Sequence, residues 1–101
     1  MRTLDELRDD IDRVDEVLVR LLNERARVAC EIGELKKTLG VEVYQPDREK
    51  QVLAHVRSIA AEGPLGSDAI ARLFERIIDE ARRLERRLVH GEETEATGRT
   101  K

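Results

Sequence analysis

The stretch that decides the fold is Leu4–Leu39, LDELRDDIDRVDEVLVRLLNERARVACEIGELKKTL. Its apolar residues recur at alternating steps of three and four: Leu4, Leu7, Ile11, Val14, Leu18, Leu21, Val28, Ile32, Leu35 and Leu39. This spacing is typical of a long amphipathic helix that packs against other helices. Arg25 occupies one position in the series. Its guanidinium has to meet an anion there, because an unpaired buried charge is very costly.

The length of this helix predicts the oligomeric state. A helix from Leu4 to Leu39 would extend roughly 54 Å, whereas a compact chain of this size has a radius of gyration of about 13 Å. The rest of the chain is too short to cover such a rod. We therefore expect an obligate homodimer in which the long helices of two chains cover each other.

Composition narrows the class of protein. The chain has 101 residues, of which 41% are charged and 2% aromatic, with a net charge of -3. This profile indicates one helix-rich domain and gives no general affinity for nucleic acid. Neither a membrane span nor a signal peptide is expected, and one cysteine suits a reducing cytoplasm. A cytoplasmic protein is the prediction.

Two further helices are predicted after the long one. Pro46 begins helix 2, which Gly63-Pro64 ends, and helix 3 runs from Asp68 to about His90 with Ser67 as its N-cap. The fold is therefore predicted to be all-α, with three helices and a very long N-terminal one. The domain spans 1–91, and the aperiodic residues 92–101 are expected to form a disordered charged tail. The apolar stripe of helix 3 should face inward: Ile70, Leu73, Phe74, Ile77, Ile78, Ala81, Leu84 and Leu88.

Certain charged residues do not fit a solvated helix face. Arg25, Ala29, Ile32 and Lys36 follow one another at four, three and four residues, so they share one stripe of the long helix. Two cations on a stripe that also carries core residues suggest a cleft for a dianion. The alternative, that Arg25 pairs with an internal glutamate, stays open.

Helices 2 and 3 carry the matching candidates. Glu85 continues the apolar stripe of helix 3, so it is either the partner of Arg25 or Lys36, or a protonated group that donates a hydrogen bond. Arg48 and Glu49 lie in the first turn of helix 2, where backbone N–H groups favour anion recognition, although a surface ion pair is commoner.

Arg8 precedes Arg25 by 17 residues, about 26 Å along the helix. It is too far away to contact the same small ligand from the same chain. If Arg8 serves such a site, it serves the site of the partner chain.

Other familiar chemistries find no support. His55, His90 and Cys30 are too few and too scattered for a metal cluster, and no glycine-rich phosphate loop is present. Cys30 is on neither stripe and is not expected to act as a nucleophile. We expect neither a metal nor a cofactor.

Several runs of sequence, taken together, resemble the all-helical class of chorismate mutases. They are LRDDIDRVD at 7–15, LLNER at 21–25, IGELK at 32–36, PDRE at 46–49 and LFERII at 73–78. The resemblance covers about residues 4–88. It implies an intertwined homodimer with two active sites, each receiving one arginine from the other subunit. It also implies the rearrangement of chorismate to prephenate, in aromatic amino-acid biosynthesis, without a cofactor.

The resemblance also implies roles for individual residues. Arg25 and the partner's Arg8 would bind the two substrate carboxylates, with Arg48 in support. Lys36 would donate to the ether oxygen and the enolpyruvyl carboxylate, and Glu49 would accept from the ring hydroxyl. Glu85 would be the second donor to the ether oxygen.

Three positions depart from the pattern of many members. Glu85 stands where glutamine is common, and a glutamate donates only when protonated, so activity should fall as pH rises. Gln45 stands where some relatives have an aspartate near the ring hydroxyl, and Ala81 stands where some have a serine near a carboxylate. The substrate could therefore be aminodeoxychorismate, acted on by a mutase, or isochorismate, acted on by a pyruvate lyase. A non-catalytic helical dimerisation or regulatory module is the remaining alternative.

Overall fold

A computed structural model describes residues 1–91 and consists of three helices. Helix α1 spans Leu4–Leu39, α2 spans Pro46–Ala60 and α3 spans Ser67–His90. The described residues contain no β-strand, so the all-α prediction is confirmed. The prediction of a disordered tail concerns 92–101, which lie outside the described residues.

The bounds of α1 have local causes. The side chain of Thr3 accepts a hydrogen bond from the backbone N–H of Glu6, and the Glu6 carboxylate accepts one from the N–H of Thr3. This capping box fixes the first turn. At the other end Gly40 adopts a left-handed conformation with φ 72°, and its N–H donates to the carbonyl of Lys36. Both predicted ends of the long helix are confirmed.

The predicted bounds of the other helices need small corrections. Ser67 is not the N-cap of α3: the carbonyl of Gly66 accepts the first helical hydrogen bond, from the N–H of Ile70, so the helix begins one residue earlier than expected. Helix α2 ends at Ala60, before Gly63, because the next hydrogen bonds join residues three apart: the N–H groups of Glu62 and Gly63 donate to the carbonyls of Ile59 and Ala60.

Helix α3 holds the chain together. It packs against both α1 and α2, whereas α1 and α2 have no Cα atoms within 8 Å of each other. Helices α1 and α3 approach each other closely at Gly33, since a Cβ atom there would lie 3.1 Å from the Cα of Glu85. At the loop end of α2, Arg57 pairs with Asp68 of α3 at 2.6 Å. The hydrogen bond and charge of Arg57 hold the pKa of Asp68 below its ordinary value.

Most of α1 is not covered by its own chain. Its apolar seam is exposed along the whole helix, with Ile11 and Leu21 each 60% exposed. The described chain is elongated, with a longest extent of 56 Å and a radius of gyration of 17.0 Å, against about 13 Å for a compact domain of this size.

One apolar residue of α3 is not where the sequence predicts it. Leu73 was expected to face inward but is 55% exposed. The buried stripe of α3 runs through Ala71, Ile78 and Glu85. Leu73 lies two residues from Ala71, about 200° round the helix from it, and therefore points away from α1 and α2.

Candidate active site

A cavity of about 630 Å³ opens between the C-terminal half of α1, the connector 41–45 and the facing sides of α2 and α3. Seven of the eight candidate residues line it: Arg25, Lys36, Gln45, Arg48, Glu49, Ala81 and Glu85. Apolar walls are supplied mainly by valine and isoleucine side chains of α1, the connector and α2. The volume suits a small organic ligand.

Lys36 and Glu85 form an ion pair between α1 and α3. The Nζ atom of Lys36 lies 2.7 Å from Oε1 of Glu85 and also donates to the carbonyl of Val43 at 2.8 Å. Glu85 is 8% exposed. The sequence left Arg25 and Lys36 open as partners of Glu85, and in the structure the partner is Lys36. The close approach of α1 and α3 at Gly33 makes this contact possible.

A second ion pair joins α2 and α3. The Nε and Nη2 atoms of Arg82 donate to both carboxylate oxygens of Glu49 at 2.8–3.1 Å. The Nη1 atom donates to Asp79 at 3.1 Å, and the guanidinium lies over the ring of Tyr44, 5.2 Å from its centre. Burial alone would lower the pKa of Arg82, but the hydrogen bonds and charges of Glu49 and, to a smaller extent, Asp79 together outweigh it and raise the pKa above its ordinary value.

Arg82 was missed by the sequence analysis. A signal was present, since Arg82 lies four residues after Ile78 and three before Glu85, beside the buried stripe of α3. The contact with Glu49, however, depends on how α2 crosses α3, which the sequence pattern does not reveal.

Arg25 and Arg48 supply the unbalanced charge of the cavity. Within residues 1–91 neither has a carboxylate partner: Arg25 lies over the ring of Phe74 at 5.8 Å, and Arg48 donates to Gln51 at 3.3 Å. Within the described residues, therefore, Arg25 has no internal glutamate partner. Of the lining residues, four are cations and two are carboxylates, so the cavity has an excess of two positive charges.

The remaining candidates differ in position. The side-chain amide of Gln45 donates to the carbonyl of Glu42 at 2.9 Å, which leaves its own oxygen free to accept from a ligand. Ala81 contributes only a methyl group to the wall. Arg8 is outside the cavity, with a side chain 67% exposed and 3.8 Å from Asp5.

The cavity is built to hold an anion and stabilise charge. None of the described residues that line it carries a hydroxyl, thiol or imidazole group. Its side chains can bind carboxylates through Arg25 and Arg48 and can donate to a developing negative charge through Lys36.

Comparison with known proteins agrees with this geometry. A model of the family described as chorismate mutase type II matches residues 7–86. The chain belongs to this family. None of its described helices has the length and apolar character of a membrane span.

The relatives include longer bifunctional proteins and a chorismate mutase of similar length to this chain. A bifunctional chorismate mutase/prephenate dehydratase of Neisseria gonorrhoeae is 44% identical over 91 residues, 86% of this chain and 24% of the relative. One of Aquifex aeolicus is 35% identical, over 87% of this chain and 25% of the relative. The chain thus spans about a quarter of the length of these relatives. A chorismate mutase of Methanocaldococcus jannaschii is 28% identical over 91% of each chain.

Proposed function

We propose that this protein is a chorismate mutase, which converts chorismate to prephenate. The observation that carries the proposal is the excess of two positive charges in a small cavity that is lined by Lys36, whose side chain is 16% exposed. Chorismate is a dicarboxylate, so its charge complements that of the cavity. Membership of the chorismate mutase type II family supports the same reaction, which belongs to aromatic amino-acid biosynthesis.

The reaction is a rearrangement within one molecule. The ether C–O bond breaks while a C–C bond forms, and no group is transferred to the protein. Catalysis then consists of holding the folded conformer, in which the two ends meet, and of stabilising negative charge that develops on the ether oxygen. A lining in which no described residue carries a hydroxyl, thiol or imidazole group is compatible with such a reaction.

Each side chain has a proposed role. Arg25, with Arg48 in support, binds the substrate carboxylates. Lys36 donates to the ether oxygen and the enolpyruvyl carboxylate. Glu85, when protonated, donates to the same ether oxygen. Glu49 accepts a hydrogen bond from the ring hydroxyl.

Gln45 and Ala81 complete the proposed binding site. The free amide oxygen of Gln45 lies near the ring substituent, and Ala81 shapes the wall near a carboxylate. Both positions adjust the fit of the substrate rather than the chemistry.

The active unit in this proposal is an intertwined homodimer in the cytoplasm. The exposed seam of α1 is the surface that a second α1 would cover, since a row of exposed apolar residues along a whole helix marks an interaction surface. Arg8 lies about 26 Å along the same helix from Arg25. In the dimer it reaches the cavity of the partner chain and binds the second carboxylate there.

Incubation of the purified protein with chorismate, aminodeoxychorismate and isochorismate, with product identification by NMR, tests the proposal. Prephenate formed from chorismate at an enzymatic rate is the expected result. Turnover of only one of the other two substrates would reassign the reaction. Inertness toward all three would favour a non-catalytic dimerisation module.

A further inference from the structure

We infer that Arg82 is a positioning residue that fixes the Glu49 carboxylate for recognition of the ring hydroxyl of the substrate. The inference rests on the proposed function and assigns a specificity role to an arginine outside the set predicted from the sequence. It follows from three features: the geometry of the ion pair, the support that holds Arg82, and the lone pairs that Glu49 keeps.

The geometry of the pair fixes the plane of the carboxylate. Both oxygens of Glu49 accept from Arg82, through Nε at 3.1 Å and Nη2 at 2.8 and 2.9 Å. A bidentate guanidinium holds a carboxylate in one orientation, whereas a single contact would let it rotate. The two side chains are 22% and 25% exposed, so solvent screens the pair less than a surface pair.

Arg82 is itself held on its other sides. Asp79, one turn earlier on α3, accepts from Nη1, and the guanidinium plane lies over the Tyr44 ring of the connector. Cation–π contact and hydrogen bonding together leave the guanidinium little freedom. The connector, α2 and α3 thus meet at one arginine, on the side of the cavity where Glu49 and Gln45 lie.

Glu49 remains able to bind a ligand while it is held. Each carboxylate oxygen has two lone pairs, and the contacts with Arg82 leave acceptor capacity toward the cavity that Glu49 lines. Pairing also cancels the charge of Glu49, which would otherwise repel a dianionic substrate. The pair therefore offers an oriented acceptor without an uncompensated negative charge.

A substitution that keeps the positive charge at position 82 separates the orienting effect of Arg82 on Glu49 from its electrostatic effect. Arg82→Lys retains the cation but loses the two parallel N–H groups. A hydrogen bond to a charged group is worth roughly 10- to 100-fold in binding, so kcat/KM for chorismate should fall about tenfold, mainly through KM. For the ring-deoxy analogue of chorismate, which has no hydroxyl for Glu49 to bind, the loss should be several-fold smaller.

Arg57→Lys is the matched control, because Arg57 also joins α2 to α3 through a carboxylate but does not line the cavity. Arg57→Lys should leave kcat/KM unchanged for both chorismate and its ring-deoxy analogue. Tyr44→Leu, which removes the ring beneath the guanidinium, should give a weaker form of the Arg82→Lys result and provides a second variant should Arg82→Lys fold poorly.

The outcomes are distinguishable. Equal losses on chorismate and on the ring-deoxy analogue, in both Arg82→Lys and Tyr44→Leu, would assign Arg82 a purely structural role and overturn the inference. The same holds if Arg82→Lys behaves like Arg57→Lys. In either case an active wild-type protein leaves the proposed function intact, whereas a wild-type protein inert toward chorismate overturns both.

Discussion

Replacing Lys36 by methionine should destabilise the folded protein by about 3 kcal/mol at neutral pH. The change leaves Glu85, 8% exposed, without its partner at 2.7 Å, and also removes the donor to the buried carbonyl of Val43. Removal of one partner of a buried ion pair costs roughly 3–5 kcal/mol. The lower end applies here, because the pair borders an open cavity that lets water reach the orphaned carboxylate.

The companion variants isolate the cause. Lys36→Met combined with Glu85→Gln removes both charges and should recover about 1–2 kcal/mol of the loss, since no unpaired carboxylate remains. Lys37→Met is the control: Lys37 is the exposed neighbour in the same last turn of α1, and its replacement should change stability by less than about 0.5 kcal/mol.

Urea-induced unfolding, followed by far-ultraviolet circular dichroism, provides the assay. All variants are compared at one chain concentration, because the stability of a dimer depends on concentration. Two results would show that the unpaired Glu85 carboxylate is not the cause of the instability. One is a Lys36→Met variant as stable as Lys37→Met, and the other is a double variant as unstable as Lys36→Met alone.

Three other predictions follow from the site and the proposed dimer. Gly33→Ala brings a Cβ to 3.1 Å from the Cα of Glu85. The cost of overpacking, roughly 1–3 kcal/mol, exceeds the gain in helix propensity of about 1 kcal/mol, so the variant should melt at a lower temperature than the wild type. A higher melting temperature would contradict this prediction. Glu85→Gln should keep kcat/KM for chorismate at or above the wild-type value, because a side-chain amide can donate to the ether oxygen, whereas Glu85→Ala should lower it about tenfold or more. Equal activity of the two variants would contradict the role proposed for Glu85. Arg8→Ala and Arg25→Ala should each be nearly inactive alone. When the two variants are refolded together in equal amounts, half of the dimers contain one chain of each and carry one intact site, so the mixture should regain about a quarter of wild-type activity. No recovery would count against an active site shared between the two chains.

The course of α1 is predictable from the sequence because its determinants are local. The three-four spacing defines the helix, Thr3 and Glu6 close its N-terminal end, and Gly40 ends it. The cations Arg25 and Lys36 stand out because they lie on a stripe that otherwise carries core residues. These features are set by residues a few positions apart, which a sequence pattern displays directly.

Contacts between helices are harder to predict from the sequence. Glu85 could be matched to Arg25 or Lys36, and the register of α3 against α1, set by the close approach at Gly33, decides for Lys36. The position of Arg82 beside the buried stripe of α3 is a weaker signal, because an arginine in such a position is usually a solvated residue. Leu73 was misplaced for a related reason: its side chain is apolar, but the buried stripe of α3 does not include it.

In the proposed reaction the cavity rearranges chorismate, with Lys36 as the main donor to the ether oxygen. The most direct test is the rate of prephenate formation from chorismate, measured for the wild type, Lys36→Ala and the control Lys37→Ala, with folding checked by circular dichroism. We expect enzymatic conversion by the wild type and Lys37→Ala, and a fall of roughly 10²-fold or more in kcat for Lys36→Ala. No conversion by the wild type, or full activity in a folded Lys36→Ala variant, would contradict the account.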